Sequence, residues 1–78
     1  MTLQELSDEL ARMYHDAPHR EAKVMIHLFG IRYADQINQI RRSGASIRQI
    51  VQRSGIPLTY VTEVNNMVNL ARYVVPRT

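Results

Sequence analysis

The sequence predicts an all-α protein, a compact bundle of four or five short helices. Apolar residues recur at intervals of three and four, the period of an amphipathic helix, along most of the 78 residues. Two capping boxes, Thr2-x-x-Glu5 and Ser46-x-x-Gln49, each mark a helix start, because such pairs satisfy the free backbone amides of a first turn. No segment alternates apolar and polar residues as a β-strand does. A chain of this length is expected to form one helical domain, residues 1–78.

The composition limits how such a domain is stabilised and where it works. The chain has no cysteine, which excludes disulfide bonds and thiolate metal sites. One core of this size supplies about 3–5 kcal/mol, so we expect close helical packing or a partner subunit. No run approaches the roughly 18 apolar residues of a membrane span. The polar, acidic N-terminus does not resemble a signal peptide. We therefore expect a soluble cytoplasmic protein that does not enter a membrane.

Charge is divided unevenly along the chain. Residues 1–22 carry five acidic and two basic side chains, a net charge of −3. Residues 23–78 carry eight basic and two acidic side chains, a net charge of +6. A basic region of this kind attracts polyanions such as nucleic acids, although many solvated surfaces are mildly basic as well. Charge alone therefore admits nucleic-acid binding without establishing it.

The first helix is predicted to begin at the Thr2 capping box. Its apolar residues form a single stripe at spacings of three and four: Leu3, Leu6, Leu10 and Met13. The stripe lasts barely two heptads, which indicates a core face or a dimer face rather than a coiled coil. Together with the small core, it leads us to expect a symmetric homodimer.

The second helix is predicted over residues 19–29, after the interruption at Pro18. Its apolar side chains cover a wide face and are expected to be well buried: Val24, Ile26, Leu28 and Phe29. Gly30 admits two interpretations, a helix break or kink, or one continuous stripe from Ile26 to Ile40. We favour the break or kink, because glycine costs about 1 kcal/mol inside a helix.

Arg41 and Arg42 end the following helical segment, just before Gly44. Cations in the last turn of a helix interact favourably with its free carbonyls, and glycine commonly follows. The pair is therefore either an ordinary helix end or a clamp for phosphate, and the two interpretations are compatible.

Residues 46–70 carry the pattern that bears most directly on function. A helix is predicted from Ile47, with Ile50 and Val51 on its buried face. Gly55 supplies the positive φ that a tight turn requires, and Pro57 precedes a second helix. The apolar positions of this second helix are Leu58, Val61, Val64, Met67, Val68 and Ala71.

This arrangement resembles the helix-turn-helix of bacterial and phage DNA-binding proteins over about twenty residues. That pattern has an aliphatic residue late in the first helix, a glycine at the turn, and an aliphatic residue directly after it. Two further aliphatics lie six and nine residues beyond the glycine. These positions are occupied here by Ile50 and Val51, Gly55, Ile56, Val61 and Val64. The resemblance implies double-stranded DNA as partner. Pro57 departs from it, because family members usually have a capping Ser or Thr there, and we therefore expect a shifted start of the second helix.

The resemblance also implies which side chains face DNA. The base-reading positions carried onto this sequence are Thr59, Tyr60, Thr62, Glu63 and Asn66, with Leu58 beside them. None is basic, but asparagine can pair with adenine, glutamate can accept from cytosine, and threonine can contact the thymine methyl. Phosphate contacts would come from Arg41, Arg42, Arg48 and Arg53. Alternatively, Tyr60 lies at the core edge and the asparagines form an ordinary solvated face.

Catalytic and metal chemistry is not indicated. Pro18 separates His15 from His19, and His27 lies among apolar residues, where a core histidine is the commoner case. Phosphate-binding loops, nucleophile elbows and zinc-protease motifs are absent from the sequence. We therefore expect no enzyme activity, no cofactor and no metal site.

Two functions remain open. The first is a dimeric DNA-binding module that regulates transcription or directs a larger DNA-processing system. The second is a helical adaptor that dimerises or docks on a larger protein without binding DNA. The polar residues at the predicted base-reading positions suit either function.

Overall fold

The computed structural model describes residues 1–77, in which it has five helices and no strand. The helices are α1 (Leu3–His15), α2 (Ala22–Arg32), α3 (Ala34–Arg42), α4 (Ile47–Ser54) and α5 (Tyr60–Leu70). The prediction of an all-α bundle is confirmed. None of the described helices is long and apolar enough to span a membrane.

The helices enclose one apolar core. α1 packs against α4, and α2 packs against both α1 and α5. The buried apolar side chains form one cluster: Leu6, Leu10, Met13, Ile26, Phe29, Ala34, Ile37, Ile47, Ile50, Val51, Ile56, Val64 and Val68. The radius of gyration is 11.3 Å, close to the value of about 11–12 Å expected for a compact chain of this length.

The first helix begins as predicted. Thr2 Oγ1 accepts a hydrogen bond from the Glu5 amide at 3.1 Å, and Glu5 Oε1 accepts from the Thr2 amide at 2.8 Å. The apolar stripe of α1 is a core face, because Leu6 and Leu10 are fully buried within the chain and Met13 nearly so. It is therefore not free to form a dimer face.

The second helix differs from the prediction at its start and on one face. Arg20 has a φ of 65°, the left-handed region that interrupts a helix, and α2 begins only at Ala22. The prediction that Val24 is buried is wrong, since it is 52% exposed. The side of α2 that enters the core is formed by Ile26 and Phe29, both fully buried.

The prediction at Gly30 is a helix break or kink, and a break there is contradicted. α2 continues through Gly30 to Arg32, and the interruption falls at Tyr33, the one residue between α2 and α3. Gly30 is buried where α2 packs against α5. The glycine thus permits close packing of two helices. The sequence of α2 alone does not indicate this role.

Candidate nucleic-acid interface

The turn between α4 and α5 is built by Gly55 and Ser54. Gly55 adopts a φ of 80°, and its amide donates to the Gln52 carbonyl at 3.2 Å. The Ser54 hydroxyl is buried, donates to the Val51 carbonyl at 2.6 Å and accepts from the Ile56 amide at 3.4 Å. Ile56 then enters the core at 4% exposure. The turn is therefore held by hydrogen bonds on both sides of the glycine and anchored by the residue that follows.

α5 starts later than the helix-turn-helix pattern suggests. Residues 57–59 form a turn, in which the Tyr60 amide donates to the Pro57 carbonyl and the Val61 amide to the Leu58 carbonyl, both at 3.1 Å. α5 begins at Tyr60, and the Thr59 side chain does not cap it. The departure at Pro57 is thus accompanied by a shifted start, which leaves the Leu58 and Thr59 side chains exposed at the tip of the helix.

α5 has two distinct faces. Val64 and Val68 enter the core, and Val61 and Met67 are partly buried. We call the opposite side the exposed α5 stripe, which comprises Thr59, Thr62, Asn66 and Asn69. These residues follow one another at intervals of three and four, so they lie on one side of the helix. Within residues 1–77 their side chains have no hydrogen-bond partner, and they are therefore available to a ligand.

A basic groove adjoins this stripe on one side. It lies between the end of α3, the start of α4 and the middle of α5, and has a volume of about 480 Å³. Its polar and charged lining comes from Arg41, Ser46, Arg48, Thr62 and Asn65. Thr62 therefore belongs to both the groove and the exposed α5 stripe. Two arginines stand next to side chains that could contact bases, as an interface with the backbone and bases of DNA would require.

The other two predicted phosphate ligands lie elsewhere. Arg42 is exposed on α3 but does not line the groove. Arg53 Nη1 donates to Gln4 Oε1 of α1 at 3.2 Å, and Gln4 Nε2 donates to Asp8 Oδ1 at 2.8 Å. Arg53 and Arg48 are five residues apart on one helix, which places them on different sides of α4.

Glu63 is held by α2 on the other flank of α5. Its Oε2 lies 2.8 Å from His27 Nε2, and its Oε1 lies 3.6 Å from Lys23 Nζ. The hydrogen bond with His27 lowers the pKa of Glu63, and the charge of Lys23 acts in the same direction. The carboxylate is therefore already engaged by two groups of its own chain.

Tyr60 lies at the edge of the core. It is partly buried, and its ring centroid lies 6.1 Å from that of Tyr14 near the end of α1. This is the arrangement that the alternative interpretation of Tyr60 anticipates. Elsewhere in the described part of the chain, no group of three or more His, Asp or Glu side chains could hold a metal ion.

A family comparison bears directly on this geometry. A model of the HTH-like domain family matches residues 2–77, nearly the whole chain. The chain belongs to this family. Comparison with curated proteins and with solved structures gave no match. Membership of the HTH-like domain family indicates DNA binding in general, and it specifies neither a DNA sequence nor a process.

Two side chains at the candidate interface of this HTH-like domain lie outside the set predicted from sequence. Asn65 lines the groove, and it could have been found from its spacing, three residues after Thr62 on the same helix. Lys23 stands beside Glu63 only because α2 packs against α5. No local sequence pattern indicates that packing, so the position of Lys23 could not be predicted from the sequence.

Proposed function

We propose that this domain binds double-stranded DNA through α4 and α5, with the exposed α5 stripe in the major groove. The proposal rests on the position of Thr62. This residue belongs to the exposed α5 stripe, and it also lines the groove beside Arg41 and Arg48. A major groove is wide enough to admit one α-helix, and the phosphate backbone then runs alongside it. Such a module would serve a transcriptional regulator or the DNA-recognition part of a larger system in the cytoplasm.

The roles of the predicted site residues divide accordingly. Thr59, Thr62 and Asn66 meet base edges, because they are exposed and lack partners. Arg41 and Arg48 neutralise phosphates, with Arg42 in support as an exposed neighbour. The three remaining residues of the predicted set are engaged within the chain: Arg53 by Gln4, Glu63 by His27 and Lys23, and Tyr60 by Tyr14. Their proposed role is to hold the elements around the interface in place through these contacts.

The test compares Arg48→Ala with Arg53→Ala on a random-sequence duplex at several salt concentrations. Both changes remove one positive charge from the same helix, so they are matched in net charge. Arg48→Ala should weaken binding and reduce the slope of log K against log salt by about one unit, because one phosphate contact is lost. Arg53→Ala should change the slope much less. Equal effects of the two variants would contradict the placement of the phosphate contacts.

Base contacts are tested separately with Asn66→Ala. This change should cost about 1–3 kcal/mol on the preferred site and leave binding to random DNA unaltered. If wild-type protein binds no duplex at 100 mM salt, a condition chosen because phosphate attraction still operates there, the DNA proposal fails. The adaptor function would then account for the exposed apolar residues Leu70, Tyr73 and Val75.

A homodimer is part of the same proposal. Of the two surfaces that the sequence offers for it, the stripe of α1 and the apolar run at 73–75, the second is the one proposed. The apolar stripe of α1 is buried in the core. In contrast, three apolar residues near the end of α5 are 40%, 79% and 87% exposed: Leu70, Tyr73 and Val75. A dimer through this segment would present two α5 helices to two half-sites on DNA. Sedimentation should show a dimer at about 100 μM.

Tyr73→Glu should dissociate this dimer. Val24→Glu, on an exposed apolar residue of α2, is the control that should leave it intact. A wild-type monomer at that concentration would remove the dimer from the proposal and leave DNA binding untouched.

A further inference from the structure

The side chains that α5 leaves free are unusual for a DNA-reading surface, because none is basic. Leu58 is 41% exposed just before the helix, and the exposed α5 stripe adds Thr59, Thr62 and Asn66. Thr59 to Asn66 spans about 10 Å along the helix axis. That is the length of about three base-pair steps at roughly 3.4 Å each. The set can therefore face a short run of consecutive base pairs.

This set lacks the side chains that usually recognise G·C pairs. Guanine is read in the major groove mainly by arginine or lysine, and cytosine by glutamate or aspartate. Arg41 and Arg48 stand to the side in the groove, and Arg53 is bound to α1 through Gln4. Glu63, the one carboxylate of α5, already meets His27 and Lys23. A G·C pair would thus meet no free arginine or lysine in this set, the side chains that make the bidentate pairing with guanine.

The same set does fit A·T pairs. Asparagine can donate to adenine N7 and accept from its N6 amino group, which suits Asn66. Threonine and leucine supply methyl groups that can contact the C5 methyl of thymine, which suits Leu58, Thr59 and Thr62. Burying that apolar methyl against them removes both from water and is favourable.

We infer that the domain selects A·T pairs, which it reads in the major groove through the thymine methyl and the adenine N6 and N7 positions. This inference rests on the proposed function and makes it more specific. Leu58 is the residue that it adds, as the apolar contact for thymine. The shifted start of α5 at Tyr60 is what leaves that side chain exposed.

Four duplexes of equal length test the inference by Kd measurement at fixed salt. Their central base pairs are A·T, G·C, A·U or I·C. The I·C pair keeps the minor-groove pattern of A·T but has the major-groove pattern of G·C, whereas A·U lacks only the thymine methyl. We expect binding to fall about tenfold or more from A·T to both G·C and I·C, and severalfold from A·T to A·U.

Leu58→Ala should shrink the difference between the A·T and A·U duplexes. Val24→Ala, on an aliphatic residue of α2 that is 52% exposed, is the control and should leave that difference unchanged. Equal binding to A·T and G·C would overturn the inference while leaving DNA binding in place. Equal binding to A·T and I·C would overturn it too, because the preference would then be read in the minor groove. Failure to bind any duplex would overturn the proposed function and, with it, the inference.

Discussion

Gly30 of α2 faces Met67 of α5 so closely that a Cβ on Gly30 would lie 2.6 Å from the Cβ of Met67 and 3.1 Å from the Val64 carbonyl oxygen. The nearest of these is an inner side-chain atom and the other belongs to the backbone, so neither can rotate away. The separation of α2 and α5 is therefore set by the absence of one side chain.

The first prediction follows from this contact. Inside a helix, alanine is ordinarily more stable than glycine by about 1 kcal/mol. Gly30→Ala should instead destabilise the domain by about 1–3 kcal/mol, as overpacking does, because the two helices must move apart. Urea denaturation measures the change. The double variant Gly30→Ala with Met67→Gly should lose less stability than the sum of the two single changes, and a stabilised Gly30→Ala would show that the helices are not in close contact.

The second prediction separates two aliphatic residues of the helix-turn-helix. Ile50 is fully buried, so Ile50→Ala should cost about 2–4 kcal/mol and leave a domain of this size largely unfolded. Val61 is only partly buried and lines the basic groove, so Val61→Ala should cost about 1 kcal/mol. Circular dichroism with denaturant compares the two. Equal losses would mean that Val61 lies as deep in the core as Ile50.

The third prediction concerns acid stability. The hydrogen bond to His27 lowers the pKa of Glu63 from its ordinary value of 4.5, with a further contribution from Lys23. The unfolded chain therefore binds the proton of this group more readily than the folded one. The stability from Glu63 is present above about pH 4.5 and is lost as the pH falls through the lower folded pKa. Thermal unfolding of Glu63→Gln should depend less on pH below 4.5 than unfolding of the wild type.

The control for that experiment is Asn69→Ala, which removes an exposed polar side chain of the same helix and no titrating group. It should keep the pH dependence of the wild type. An unchanged profile in Glu63→Gln would show that the contact with α2 does not persist in solution.

The fourth prediction concerns the same carboxylate and DNA. Because Glu63 partly neutralises Lys23 on the flank of α5, Glu63→Gln should tighten binding to every duplex and steepen the salt dependence. Gel shifts on A·T and random duplexes measure both. Loss of affinity on one specific sequence alone would instead assign Glu63 to a cytosine.

The sequence predicts the parts of this fold that depend on local chemistry. The capping residues Thr2 and Ser46, and the positive φ of Gly55, follow from bonds made within a few residues. The exposed α5 stripe follows from helical spacing once the helix is placed. What the sequence does not predict depends on distant contacts. Gly30 permits the close approach of α5, and the side chains of Glu63 and Arg53 meet partners on α2 and α1.

The bond from Arg53 to Gln4 also fixes where the negative end of the molecule lies. It ties the acidic N-terminal helix to the side of α4 turned away from Arg48. Arg41 and Arg48 at the groove and the acidic α1 thus lie on different sides of α4, so the charge of the domain is unevenly distributed in space. In the field of a polyanion such a particle experiences a torque before contact, so it turns its groove towards the phosphates while it is still diffusing. Orientation then precedes collision, and a larger share of encounters becomes productive.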